Sequence, residues 1–125
     1  MQSAASARGL EGPSAQVLSR DDLRSLAWRC LGLERDATRL RHLLDVLRAA
    51  RRSQAPADRE ASEDRNLADV AWAMATSALF REESRGSHYR ADFPTTDDSR
   101  FRGHSWLDAG GVRLADVDVP VGTRA

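Results

Sequence analysis

Three runs of apolar residues recur at helical spacing, and the breakers between them limit what the chain can become. Leu23, Leu26, Ala27, Cys30 and Leu31 share one face of a first helix. Ser19 stands before it as an N-cap, and Asp21 and Asp22 sit in its first turn, where the helix dipole favours negative charge. Gly32 weakens the helix by ~1 kcal/mol relative to Ala, so a break is expected at "LGLERD", with Asp36 capping a second helix. Ala37, Leu40, Leu43, Leu44 and Leu47 form its stripe, and Arg48, Arg51 and Arg52 occupy its C-terminal end. The polar loop "SQAPADREASED", with Pro56, follows. A third helix is expected from Ser62, with Glu63 and Asp64 in its first turn and Leu67, Val70, Ala71, Met74, Ala78 and Leu79 buried. Its many alanines allow close approach of another element. The expected fold is all-α: an up-down-up three-helix bundle over residues 19–88. A flexible tail precedes it (1–18), and an extended C-terminal arm or short hairpin follows (89–125) around Gly110-Gly111, with Val112, Leu114, Val117 and Val119.

Composition excludes several functions. The chain has 125 residues, enough for one domain that buries roughly two-thirds of its unfolded surface. Its 19 basic and 19 acidic residues give a net charge of +0, which argues against a nucleic-acid binder. Every basic residue is Arg and Ile is absent, a bias of GC-rich, bacterial coding. No apolar run approaches the roughly 18 residues of a membrane span, so no membrane partner is expected, and the cytoplasm is the expected compartment. Cys30 is the only cysteine and lies on an apolar helix face, which suits a buried inert thiol better than a nucleophile. His42, His88 and His104 are scattered, so no metal site is expected. Trp28, Trp72 and Met74 read as core.

The densest chemistry lies in "LFREESRGSHYRADFPTTDD", from Leu79 to Asp98. Gly86 is placed as a left-handed helix C-cap, with Arg81 and Arg85 in the last helical turn. Beyond it, Pro94 biases the chain to extended structure, in which side chains alternate. Tyr89, Ala91 and Phe93 are expected to face the bundle, leaving His88, Arg90 and Asp92 outward near Arg85. A solvated ion-pair network explains this pattern as a surface feature. A cationic cluster that meets a carboxylate explains it as a functional one.

The same residues resemble a signature of the succinate dehydrogenase, fumarate reductase and L-aspartate oxidase family of flavoproteins. Glu83, Ser84, Arg85, Gly86, His88, Arg90, Asp92, Phe93, Pro94, Asp97 and Asp98 carry the resemblance. Leu23, Trp28, Gly32, Arg35 and Leu40 add to it, as does "RNLADVAWAMATSALFR", so residues 20 to 106 are covered. The short loop before "RNLADVA" and the run "SHYRADFP" look like the L-aspartate oxidase branch. "FRGHSW" departs from the Trp-x-x-His-Thr ending of the dehydrogenases, with His104 and Trp106 in reversed order.

The resemblance implies a parent enzyme that uses FAD to oxidise L-aspartate to iminoaspartate, which quinolinate synthase then consumes on the way to NAD. The chain has no G-x-G-x-x-G turn to hold a dinucleotide. What it resembles is therefore the C-terminal helical domain alone, and no cofactor and no catalytic residue are expected on it. Its expected partners are the flavin-binding and capping domains of the same polypeptide. Ser84, Arg85, Gly86, His88, Arg90 and Asp92 are the candidates for contacts with them. The alternatives are the corresponding domain of a succinate dehydrogenase or fumarate reductase flavoprotein, and a free-standing helical interaction module.

Overall fold

A computed structural model describes residues 18–52 and 56–115. The tail expected over 1–18 lies almost entirely outside these residues, as do Val117 and Val119 of the expected arm.

The described chain is mostly helical, with one small antiparallel sheet. Helix α1 spans Arg20–Leu31, and the Ser19 hydroxyl accepts from the Asp22 N–H at 3.1 Å. Gly32 ends it for a steric reason: a Cβ there would stand 2.4 Å from the Trp28 carbonyl oxygen. Helix α2 spans Ala37–Arg51 under the Asp36 cap, whose carboxylate accepts from Arg39 N at 2.8 Å. Helix α3 spans Arg59–Phe80. It starts before the expected Ser62, because Asp58 supplies the cap by accepting from Ala61 N at 2.8 Å.

The three helices share one core. Leu23, Leu26, Cys30 and Leu31 of α1 meet Leu40, Leu43, Leu44 and Leu47 of α2. Helix α3 buries Ala68, Ala71, Ala75 and Ala78 there, with Trp72 and the expected Leu79 partly buried against them. This corrects the expected stripe, since Leu67, Val70 and Met74 are exposed. Two faces of α3 carry apolar residues at helical spacing. The alanine face packs inward because the leucines of α2 already fill the space, and small side chains complement them at the centre of the contact. Trp28 is likewise no core residue; it is 74% exposed. Trp72 is half-buried, with the Arg51 guanidinium 4.6 Å from its ring centre.

After α3 the chain makes a compact loop, a single helical turn α4 (Asp98–Phe101), and a hairpin. Strand β1 (His104–Asp108) pairs antiparallel with β2 (Gly111–Ala115), His104 opposite Ala115 and Asp108 opposite Gly111. The hairpin makes the all-α expectation too narrow. Phe101 is buried and meets Phe80, the last residue of α3, edge to face at 5.8 Å between ring centres. Among the described residues no helix is long and apolar enough to cross a membrane.

Candidate functional site

Helix α3 stops at Phe80, six residues earlier than Gly86, so Gly86 is not its cap and Arg85 lies outside it. Every helix leaves its last carbonyls without intrahelical donors, and buried orphans are costly. Here the donor comes from downstream. Arg90, 1% exposed, sends Nη1 to the carbonyl oxygens of Ala78 (3.0 Å), Leu79 (3.1 Å) and Arg81 (3.3 Å). Its Nε and Nη2 donate to the two oxygens of Asp92, at 2.8 and 2.7 Å. Asp92 also accepts from the N–H of Ala37, the first residue of α2, at 3.0 Å. One ion pair thus satisfies the C-terminus of α3 and the N-terminus of α2 together. The Arg90 hydrogen bonds hold the Asp92 carboxyl down at about 2, against partial burial, with help from the Ala37 N–H.

This arrangement overturns the expected alternation at residues 89–91, while Asp92 stays exposed and Phe93 half-buried. Arg90 faces inward, while Tyr89 and Ala91 are exposed. The register is set by a backbone bridge to the α1–α2 connection. Arg35 N donates to the Tyr89 carbonyl at 3.0 Å, and Ala91 N donates to the Arg35 carbonyl at 2.8 Å. Those bonds use the flanking residues and turn Arg90 towards the helix ends.

The neighbouring turn is equally tight. Arg85 and His88 exchange backbone hydrogen bonds of 2.8 and 3.0 Å around Gly86, whose φ of +57° is the left-handed conformation that glycine enters freely. The Ser84 hydroxyl accepts from Arg90 N at 2.9 Å and donates to the Phe93 carbonyl at 2.8 Å. His88 Nε2 lies 3.1 Å from the Arg81 carbonyl, and Nδ1 lies 3.1 Å from Arg35 Nη1. A carbonyl only accepts and a guanidinium only donates, so the ring carries its proton on Nε2 and is neutral. Burial lowers the His88 pKa. The Arg81 carbonyl opposes that shift, and the charges of Arg35, Arg90 and Arg81 add to it.

Glu83, expected only as part of the family signature, is fully buried. Oε1 accepts from Arg81 Nε (2.8 Å) and Arg85 Nε (3.0 Å); Oε2 accepts from Arg85 Nη2 (3.2 Å) and Asp97 N (2.8 Å). Burial alone would raise its pKa, but the bonds from Arg85, the Asp97 N–H and Arg81 outweigh it and hold the carboxyl at about 2. Arg81 continues the network to Ser105 Oγ at 3.0 Å and to the carbonyls of Gly103 (2.9 Å) and Phe101. Arg85 reaches Asp98 as well. The signal was present: Arg81, Glu83 and Arg85 alternate, and alternation on an extended run places all three on one side.

All six candidate residues therefore meet in one joint. Ser84 and Arg90 are buried in it, His88 is half-buried, and Arg85 and Gly86 reach the surface. Asp92 is engaged on both oxygens. The donors and acceptors are spent on one another and on helix ends, with no nucleophile beside a base. Cys30 is buried, and burial raises its pKa, so it stays a thiol. Among the described residues no group of three or more His, Cys, Asp or Glu is placed to hold a metal.

Residues 20–123 match the family described as "Fumarate reductase flavoprotein C-term". The chain belongs to that family. Similar proteins include the L-aspartate oxidases of Synechocystis (47% identical over 53 residues, 42% of this chain and 9% of that protein) and of Pyrococcus abyssi (42% over 74 residues, 59% and 14%). The fumarate reductase flavoprotein subunit of Mycobacterium tuberculosis is 41% identical over 58 residues, 44% of this chain and 10% of that protein. The matched stretch is thus a small part of each of these flavoproteins. No solved structure matches the chain significantly. As a member of a flavoprotein C-terminal family, the chain carries in this joint a structural closure of its helical core.

Proposed function

We propose that the chain is the C-terminal helical domain of an FAD-dependent L-aspartate oxidase, which converts L-aspartate to iminoaspartate in NAD synthesis. It supports and docks on the flavin-binding and capping domains of the same polypeptide. The flavin belongs to those domains and the chain itself is inactive; quinolinate synthase is the partner by pathway. The observation that carries this reading is the 42% identity to an L-aspartate oxidase over 74 residues, a longer stretch than the 58 residues shared with the mycobacterial fumarate reductase subunit. The latter supports the second reading, a fumarate reductase flavoprotein.

We read the helices as an up-down-up bundle. In support, Arg20 at the start of α1 pairs with Asp64 (2.5 Å) and Glu63 (3.5 Å) near the start of α3, as neighbouring parallel helices would allow. Of the candidate contacts, Arg85, Gly86 and Asp92 are the exposed ones, at the surface where another domain can meet them.

The test is to purify the native polypeptide that contains this chain and assay it. Bound FAD with L-aspartate oxidation is expected. Fumarate reduction without L-aspartate oxidation selects the second reading, and absence of flavin with neither activity refutes both. Stoichiometric FAD binding by the 125-residue chain alone also contradicts the reading.

A further inference from the structure

A groove of about 530 Å³ runs between α1 and α3 and ends beside the joint, at Arg35 and Ser87. Its apolar walls include Trp28, Leu33, Leu67, Val70 and Met74, all exposed. Contiguous exposed apolar surface of this kind marks an interaction site. The charged residues that line it are Arg24 and Arg35, with no acid among them, in a chain whose charges balance overall.

Arg35 is the unusual member. It is half-buried, yet among the described residues no carboxylate lies within ion-pair distance of it, whereas Arg81, Arg85 and Arg90 each hold one. Its Nε donates to the Gly32 carbonyl at 3.3 Å and its Nη1 to the neutral His88 ring at 3.1 Å. Neither partner carries charge, and the nearest carboxylates of the joint, Glu83 and Asp92, are paired with Arg81, Arg85 and Arg90 instead. Burial without a counter-charge pulls the Arg35 pKa down. A desolvated guanidinium with donors to spare is matched by a planar carboxylate. Ser87 borders the same mouth and adds a hydroxyl.

We infer that the groove is a docking site for a protein segment that presents one carboxylate to Arg35 between aliphatic side chains. The aliphatic side chains lie on Trp28, Val70 and Met74, and Arg24 guides the acidic segment from the rim. The inference rests on the domain reading above only for the source of the segment, which is then the flavin-bearing part of the polypeptide. The groove's chemistry stands without it.

The probe is the peptide acetyl-Leu-Leu-Asp-Leu-amide, with its Asp-to-Asn counterpart, titrated into the full chain at low salt and followed by tryptophan fluorescence. The acidic peptide is expected to bind at least tenfold more tightly than the amide one. Arg35→Gln removes that difference. Val70→Asp, on an exposed wall position, abolishes binding while circular dichroism stays unchanged. Equal binding of the two peptides, or no binding of either, overturns the inference. So does succinate binding as tightly as the peptide, which marks a small-molecule site. Binding that appears only after residues 1–17 are removed gives the groove to the chain's own terminus and overturns it too, as does a dimer that Val70→Asp dissolves. In each case the flavoprotein reading is judged separately, by flavin content and turnover of the native polypeptide.

Discussion

Replacing Arg90 with leucine removes the donor that closes α3. The substitution keeps an apolar side chain in the site but leaves the carbonyls of Ala78, Leu79 and Arg81 with one donor fewer and strips Asp92 of its partner. Breaking a buried ion pair from one side costs roughly 3–5 kcal/mol. Asp92 is partly solvated, which favours the lower end, while orphaned carbonyls add about 1 kcal/mol or more. The expected loss is about 4 kcal/mol. For a domain of this size that is a fall in Tm of roughly 16–30 °C. Urea unfolding of wild type, Arg90→Leu, Asp92→Asn and the double variant, followed by circular dichroism, measures both the loss and its coupling. The two substitutions remove the same bonds, so the double variant should lose much less than the sum of the singles. A loss for Arg90→Leu under about 1 kcal/mol, or strict additivity, refutes the reasoning.

The remaining predictions concern the same joint. The Glu83 carboxyl sits at about 2, below its ordinary 4.5, so its contribution is present above pH 4.5 and is lost as pH falls towards 2. The shift corresponds to roughly 3 kcal/mol, and Glu83→Gln should flatten that part of the acid unfolding profile; an unchanged profile counts against it. His88 has its pKa below the ordinary 6.5, so its neutral form supports the fold above pH 6.5 and stability declines as pH falls through the lowered value. Nitrogen-15 spectra at pH 6.5 should show the neutral Nε2–H tautomer; an imidazolium signal contradicts the assigned hydrogen bonds. Gly86→Ala puts a Cβ where nothing lies within 4 Å, so only the left-handed backbone is strained. The cost should be about 1 kcal/mol, and a loss above about 3 kcal/mol means the turn makes contacts other than those described.

Local signals read well in the sequence. Ser19 and Asp36 cap the helices they were expected to cap, and the leucines of α1 and α2 are buried as their spacing implies. The hairpin around Gly110-Gly111 also forms. What failed needed tertiary information. On α3 two apolar faces compete, and the choice of the alanine face depends on the volume already filled by α2. In residues 88–93, hydrophobicity favours burying Tyr89 and Phe93. The unmet carbonyls of α3 and the bridge to Arg35 bury Arg90 and leave Tyr89 exposed, with Phe93 half-buried, and neither cause is visible without knowing that α3 ends at Phe80. The roles of Arg35 and Glu83 are hidden from local pattern, because their partners lie across the fold or on the alternating side of an extended run.

The account's central claim is that Arg90 is an internal clasp rather than an outward docking residue. Exchange of its Nε proton with solvent tests this most directly, with Arg24 as the exposed reference in the same chain. If the clasp contributes about 4 kcal/mol, the Arg90 proton should exchange about a thousandfold more slowly than that of Arg24. Equal rates for the two protons would mean that the guanidinium is solvated, and would contradict the account.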